Sequence, residues 1–196
     1  MKYDIEIPIP QKVQFILDKL HEHNYHAFIV GGCVRDSILG KVPGDWDIAT
    51  DALPGEVKEL FPKTADTGIK HGTVTVIIEK SLFEVTTYRI DGEYADFRKP
   101  KAVTFTSSIE EDLSRRDFTI NAIAYSPETG IVDPLGGVAD IGKRIIRTVG
   151  DPEGRFSEDA LRMLRAVRFS AQLGFSVEER TLKSIETNSS LIGSIS

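Results

Sequence analysis

The run from Phe28 to Thr50, FIVGGCVRDSILGKVPGDWDIAT, gathers a Gly31-Gly32 turn, an Arg35-Asp36 pair and the acids Asp45 and Asp47 into one short stretch. If Asp45 to Thr50 is a strand, residues two apart project to one face, and the two carboxylates crowd each other. Such a pair is destabilising unless one acid takes a proton or a cation sits between them. Oxygen-rich sites of one or two carboxylates suit magnesium, which completes its shell with water and substrate phosphates. The backbone N–H groups of a Gly-Gly turn at a helix start can cradle a phosphate. A D-x-D pair also occurs in turns and on solvated strand faces, and Gly-Gly is mostly a turn signal. The combination of turn, arginine, helix and acidic strand points to a metal-nucleotide site.

Three further clusters carry chemistry. Glu84, in the alternating segment FEVTTYR, is placed to supply a third carboxylate if its strand lies beside that of Asp45; alone, it reads as a solvated acid. Arg115-Arg116-Asp117-Phe118-Thr119-Ile120-Asn121-Ala122 concentrates positive charge at a helix start, where guanidinium forks grip phosphate or sugar oxygens. Asp117 also fits a plain N-cap there, and Asn121 an ordinary polar helix residue. In the third cluster, one helix would put Glu158, Asp159, Arg162 and Arg165 on one face, with Ala160, Leu164, Val167 and Ala171 opposite. Glu158 and Arg162 then form an i, i+4 pair worth only about 0.2–0.5 kcal/mol on a surface. The sharper reading is an acceptor and a donor presented to a nucleobase edge, with Arg168 one turn beyond.

These groups need a scaffold. Apolar spacing predicts a helix from Pro10 carrying Val13, Ile16, Leu17 and Leu20, a buried strand over 26–30 and a short helix over 34–39. A strand over 45–50, a helix from Leu53-Pro54 to Leu60 and a hairpin of strands over 73–78 and 82–89 follow. Residues 90–101 read as a mobile loop, 102–106 as a strand, 117–125 as a helix, and everything from about Gly150 as helical. The fold class expected is α+β: a mixed sheet with flanking helices over residues 1–150, then an all-α segment over 151–196.

The 196 residues, 40 % hydrophobic, suffice for one domain with a helical extension. No apolar run approaches the roughly 18 residues of a membrane span, and MKYDIEIPIPQK lacks a secretory signal core, so a cytoplasmic, non-membrane protein is expected. Cys33 is the one cysteine, which precludes an internal disulfide and fits a reducing compartment. The net charge of −6 argues against nucleic acid as a default partner, although basic residues concentrate between Lys143 and Arg168.

With these residues assembled, the chain resembles the head and neck of the bacterial class II tRNA nucleotidyltransferases, the CCA-adding enzymes of the polymerase-beta-type superfamily. Gly31-Gly32, Arg35-Asp36 and Asp45-x-Asp47 match the first motif of that family. RRDFTINA at Arg115–Ala122 matches its ribose motif, and Asp133-Pro134-Leu135-Gly136-Gly137 with Asp140 its head–neck connector. Glu158, Asp159 and Arg162 match its base-selecting E-D-x-x-R motif. The resemblance implies a nucleotidyltransferase head over 1–150 and the start of a helical neck over 151–196. It implies that Asp45 and Asp47 hold Mg2+, with Glu84 as a further catalytic acid. Gly31, Gly32 and Arg35 would meet the triphosphate, and Arg116, with Asp117 and Asn121 of the same motif, the incoming nucleotide. Glu158, Asp159 and Arg162 would read the base of CTP or ATP, and Arg165 and Arg168 complete the site or guide the primer. The tRNA 3′ end is the implied acceptor, and residues 90–101 correspond to a flexible loop of the family. The family's tRNA-gripping body and tail would follow Ser196, which implies a fragment or an unusually short member. Alternatives are CC-only or A-only addition, a poly(A) polymerase, and a non-catalytic nucleotide- or RNA-binding module.

Overall fold

The structure, a computed structural model, describes residues 3–92, 94–95, 99–100 and 102–194. Helix α1 (Gln11–Glu22) forms as its apolar spacing predicts, with Val13, Ile16, Leu17 and Leu20 fully buried. Each such side chain contributes about 1.5–3 kcal/mol of burial. The chain then runs through β1 (Ala27–Val30), α2 (Gly32–Ile38), β2 (Asp47–Thr50), α3 (Pro54–Leu60), β3 (Thr64–Gly68), β4 (Thr73–Ile78) and β5 (Ser81–Thr87). Short strands β6 (Arg89–Asp91), β7 (Tyr94–Ala95), β8 (Lys99–Pro100) and β9 (Val103–Phe105) follow, then α4 (Ile109–Ser114). Strands β10 (Ala124–Ser126) and β11 (Gly130–Val132), helix α5 (Gly137–Lys143) and β12 (Ile145–Ile146) lead to α6 (Pro152–Glu158), α7 (Leu161–Leu173), β13 (Ser176–Val177) and α8 (Glu179–Asn188).

Seven strands form one mixed sheet in the order β11-β10-β1-β2-β5-β4-β3, so the expected α+β class with a mixed sheet and flanking helices is observed. Every pairing is antiparallel except β2 with β5, which run parallel with Ile48 opposite Val85. The central strand β1 is buried along its whole length, as in a sheet covered on both faces, whereas the edge strand β3 has no buried residue and β5 is exposed at Leu82 and Glu84. Ile29, Ile48 and Val85 pack with α1, α2 and α3 on one side; Phe28, Val30, Ala49 and Tyr88 pack with Ile109 and Leu113 of α4 on the other. The first of these cores continues into Ala166, Phe169 and Phe175, which fastens α7 to the sheet layer.

Several expectations from sequence need correction. Strand β2 begins at Asp47, so Asp45 lies in the preceding loop and the i, i+2 argument for their proximity fails; Pro43 and Gly44 favour that loop. The segment expected as a helix over 117–125 is a single 3-10 turn, Thr119–Asn121, followed by β10. Phe118, Ile120, Ala122, Ile123 and Ala124 are all fully buried, and a continuous apolar run fits a chain enclosed on all sides better than an amphipathic helix. Within the expected loop over 90–101, β6 pairs with β9 and β7 with β8, while residues 93, 96–98 and 101 lie outside those described. After Gly150 the chain is helical apart from β13, which pairs parallel with β12.

A break between α6 and α7 at Asp159–Ala160 resets the helical phase. The buried face of α7 is Arg162, Met163, Ala166 and Phe169, and the expected apolar face is largely outward, with Leu164 and Val167 exposed.

Gly137 begins α5 against the RRDFTINA segment; a Cβ there would stand 2.1 Å from the Thr119 carbonyl oxygen and 2.8 Å from Ile123 Cγ1. The backbone has nowhere to move, so Gly137→Ala is expected to cost at least about 1–3 kcal/mol, the usual range for overpacking. Thermal or urea unfolding checks this, with Gly142→Ala, which meets nothing within 4 Å, as the control.

Candidate active site

Between the β1–α2 turn, β6, the α4–β10 connection and α7 lies a cleft of about 490 Å³, within the range of small-molecule sites. Its lining includes six arginines, Arg35, Arg89, Arg115, Arg116, Arg162 and Arg165, against four aspartates, Asp47, Asp91, Asp117 and Asp159. An acidic chain has thus made a locally cationic cleft, which suits a polyanion.

The floor is the glycine turn. Gly31 has φ 76°, a left-handed conformation that strains any other residue, and a Cβ on it would lie 3.0 Å from Arg116 Nη1. Glycine therefore lets the arginine close over the turn. No side chain caps α2, which starts at Gly32, so its first turn is left open to the cleft. Arg35 is buried; its Nη1 donates to Asn121 Oδ1 at 2.5 Å and its Nη2 pairs with Asp36 at 2.9 Å. Asn121 Nδ2 in turn donates to Asp117 Oδ1 at 3.2 Å, and Arg165 Nε donates to Asp117 Oδ2 at 2.7 Å. A polar chain thereby runs from α2 through the RRDFTINA segment to α7.

The acids gather beside the glycine turn, because Val30, which leads into Gly31, pairs with Asp47 across β1 and β2. In the parallel register Ile48 faces Val85, so Asp47 and Glu84, one step earlier on each strand, lie side by side on the same face. Partial desolvation holds the Asp47 carboxyl above the usual carboxylate range, Glu84 and Asp45 repel it further, and Arg116 opposes them. Asp45, although off the strand, is therefore within electrostatic reach of Asp47. Cys33 is packed beneath, its thiol pushed up to about 11 chiefly by burial, which removes it as a nucleophile.

On the far wall, Asp159 closes the end of α6 and Arg162 enters from α7. Arg162 Nη1 donates to Glu158 Oε2 at 2.8 Å and to the Arg155 carbonyl at 3.1 Å, and Glu158 also accepts Arg155 Nη1 at 3.0 Å. Burial raises the Glu158 pKa, but Arg162 and Arg155 outweigh it and hold the group below the usual range.

The structure thus brings Gly31, Gly32, Arg35, Asp47, Arg116, Asp117, Asn121, Asp159, Arg162 and Arg165 to one cleft. Asp45, Glu84, Glu158 and Arg168 stand outside its lining: Glu84 beside Asp47 on the next strand, Asp45 in the loop before it, Glu158 bonded to Arg162, and Arg168 exposed on α7. Sequence reasoning missed Arg89 and Asp91, brought in by β6, and Phe169, whose ring lies 5.1–5.3 Å from the guanidinium carbons of Arg35, Arg165 and Arg168. No spacing rule marks these; an aromatic within a run of arginines on α7 was the available signal for Phe169.

Residues 27–147 match the family model described as the poly A polymerase head domain. The chain belongs to that family. Within the poly A polymerase head domain family, it is 56 % identical over 186 residues to the CCA-adding enzyme of Geobacillus thermodenitrificans, covering 95 % of this chain and 46 % of that protein. It superposes with a TM-score of 0.87 on the crystal structure of the Bacillus stearothermophilus CCA-adding enzyme in complex with CTP, at 50 % identity over 95 % of this chain and 45 % of that one. The Thermotoga maritima CCA-adding enzyme complexed with tRNA gives 0.74 at 28 % identity, over 92 % of this chain and 42 % of that one. The chain spans about half the length of the curated relatives it matches. Among the described residues no helix is long and apolar enough to cross a membrane.

The raised Asp47 group gives a pH-dependent prediction. An acid whose folded pKa lies above its unfolded value favours the folded state most below the ordinary Asp range near 3.8, and loses that contribution as pH rises through the raised value. At neutral pH, without added metal, Asp47→Asn is expected to melt at a higher temperature than the parent. Differential scanning calorimetry across the acid-to-neutral range tests this; equal or lower melting of Asp47→Asn at neutral pH contradicts it.

Proposed function

We propose that this chain carries the nucleotide-transferring centre of a template-independent tRNA nucleotidyltransferase, which adds C and A from CTP and ATP to a tRNA 3′ end and releases pyrophosphate. The observation that carries this reading is the placement of Asp47 and an arginine-lined glycine turn at one end of a cleft whose other wall holds Asp159 and Arg162. Residues 1–150 are the transferring head in this reading, and 151–196 the start of a base-selecting neck. The close relatives named as CCA-adding enzymes, one of them bound to CTP, support it.

Asp45 and Asp47 would hold a divalent ion, magnesium in this reading, with Glu84 beside them. The donor chemistry fits: all the groups are oxygen, Glu84 and Asp45 repel Asp47, and Asp47 opens onto the cleft. Among the described residues no group of three or more His, Cys, Asp or Glu side chains is placed to hold a metal ion; the ion would take water and phosphate oxygens for most of its shell. When bound, the ion lowers the pKa of the attacking hydroxyl and neutralises charge on the leaving oxygens.

The chain's own residues bind and orient. The glycine turn admits the phosphates to close backbone range, and Arg116, Arg115 and Arg89 counter their charge. The Asn121–Asp117–Arg165 chain fixes the ribose end of the site. The 3′-hydroxyl of the RNA then attacks the α-phosphorus in line, the bond to the β-phosphate oxygen breaks, and pyrophosphate leaves. Positioning and charge stabilisation are what such a reaction needs from protein.

Asp159 accepts and Arg162 donates, the pattern that cytosine and adenine share: an exocyclic amino group beside a ring nitrogen. Guanine and uracil present oxygen and N–H instead, which leaves both side chains mismatched. Glu158 orients Arg162 from behind.

Labelled CTP and ATP offered with magnesium to tRNA lacking its terminal CCA are expected to give a product three nucleotides longer. A ladder stopping at CC, at A, or running to poly(A) identifies the alternative reactions, and no incorporation with nucleotide binding intact identifies a binding module. Asp47→Asn is expected to lower incorporation by about 10³-fold or more, since several kcal/mol of charge stabilisation depend on the ion it would hold. Asp159→Ala is expected to erode selection against UTP and GTP by about 10–100-fold, the equivalent of one unpaired polar group at about 1–3 kcal/mol. Single-nucleotide incorporation with each of the four triphosphates measures it; unchanged selectivity removes Asp159 from base reading.

A further inference from the structure

One buried acid lies behind the arginines of the cleft rather than in it. Asp112, on α4, is 1 % exposed, and both of its carboxylate oxygens are engaged. Oδ1 accepts Nε and Nη2 of Arg115 at 2.9 and 2.8 Å, and the backbone N–H of Arg89 at 3.3 Å. Oδ2 accepts Nη2 of Arg116 at 3.0 Å. One carboxylate thus bonds two cleft arginines and the strand that carries a third.

The electrostatics explain why such a tie is needed. Arg89, Arg115 and Arg116 line one end of the same cleft, and three guanidinium groups so placed repel one another. Asp91 answers part of this, its Oδ1 lying 3.7 Å from Arg89 Nε and 3.9 Å from Arg115 Nη1. These are longer contacts than those of Asp112 and fix no direction. Asp112 grips Arg115 through a forked pair of bonds, which sets the plane of the guanidinium as well as its position. It takes a single nitrogen of Arg116, whose Nη1 is left against the glycine turn. Spacing in sequence makes this possible, because Asp112 stands three and four residues before the two arginines at the end of one helix.

We infer that Asp112 is a positioning residue for polyphosphate recognition: from behind the cleft it aims Arg115 and Arg116 at the phosphates beyond the first. This rests on the nucleotide reading of the cleft and assigns a role within it to a residue that touches no ligand.

The test separates aim from stability. Calorimetric titration of the chain with CTP and with CMP, both with magnesium, gives a ratio of affinities that reports the outer phosphates. Asp112→Asn keeps the shape but removes the charge, and is expected to weaken CTP by about 10–100-fold, the cost of a misaimed binding group, while CMP changes far less. Leu113→Ala, at the neighbouring fully buried apolar position, is expected to lower the melting temperature and leave the CTP-to-CMP ratio unchanged. Arg115→Met, at the cleft surface, is expected to reproduce the selective loss of CTP even if Asp112→Asn fails to fold. Equal loss of both ligands in Asp112→Asn, a ratio unchanged in Arg115→Met, or a ratio shifted by Leu113→Ala each overturns the inference. Failure of the parent chain to bind CTP instead overturns the nucleotide reading on which it stands.

Discussion

Crowded positive charge governs this cleft, and much of the surrounding structure is arranged to hold it. Six arginines converge on a space of about 490 Å³; Arg89 donates to the His71 carbonyl, and the other five are held by acid or amide side chains. Asp36 and Asn121 hold Arg35, Asp112 holds Arg115 and Arg116, Asp117 holds Arg165, and Glu158 holds Arg162. Burial alone would push the Asp112 carboxyl up, yet Arg116 and Arg115 keep it below the usual range, so the acid stays ionised in an interior that disfavours charge. For Arg89, burial and then the neighbouring Arg115 pull the guanidinium down, with Asp91 and Asp112 acting against them. Buried ion pairs of this kind are weak contributors to net stability, and removing one partner costs about 3–5 kcal/mol because it strands the other. Their yield is direction: donors fixed before a ligand arrives need no reorganisation when charge develops on it.

Beside the glycine turn the sign of the problem reverses. The parallel pairing of β2 with β5 places Asp47 beside Glu84 in a sheet otherwise antiparallel. A parallel join between strands distant in sequence needs a long crossover, here supplied by α3 and the β3–β4 hairpin. The fold therefore spends an awkward connection to bring two acids together at a strand end. Arg116 relieves that repulsion only in part, and the Asp47 carboxyl stays above its usual range, which is the physical case for a cation at this point.

Much of this was legible in the residues themselves, and the exceptions have physical causes. The glycine turn, the Arg115–Asn121 segment and Asp159 with Arg162 could be picked out because chemistry of that kind needs unusual residues close together. Asp45 was placed on a strand that begins two residues later, so the geometry offered for pairing it with Asp47 fails, although the two acids remain within electrostatic reach. The helix phase in the third cluster was wrong because the break at Asp159–Ala160 is invisible to a 100° periodicity, and Phe169 was lost with it. Asp112, Arg89 and Asp91 carry no local signature. Their importance arises from tertiary neighbours on α4 and β6, and an acid three residues before an arginine reads as an ordinary surface pair until its burial is known.

The continuity of the interior links the glycine turn and the acids to the wall that carries Asp159 and Arg162. Phe169 on α7 packs edge-on against Phe118 of the RRDFTINA segment, with ring centroids 5.9 Å apart, and its ring also meets Arg35 from α2. The same core holds Ile29 and Ile48 of the sheet and Ala166 and Phe175 beyond residue 150. Interiors packed to this degree transmit displacement rather than absorb it. The wall carrying Asp159 and Arg162 is consequently fixed relative to the glycine turn and to Asp47. In the proposed reaction that fixed span does the work a template strand does elsewhere: it sets how far a base edge must lie from its own α-phosphate. A nucleotide whose edge finds no partner at that distance is held with its phosphates out of line. Selection and transfer are then one geometric condition, imposed by the packing of α7 against the sheet.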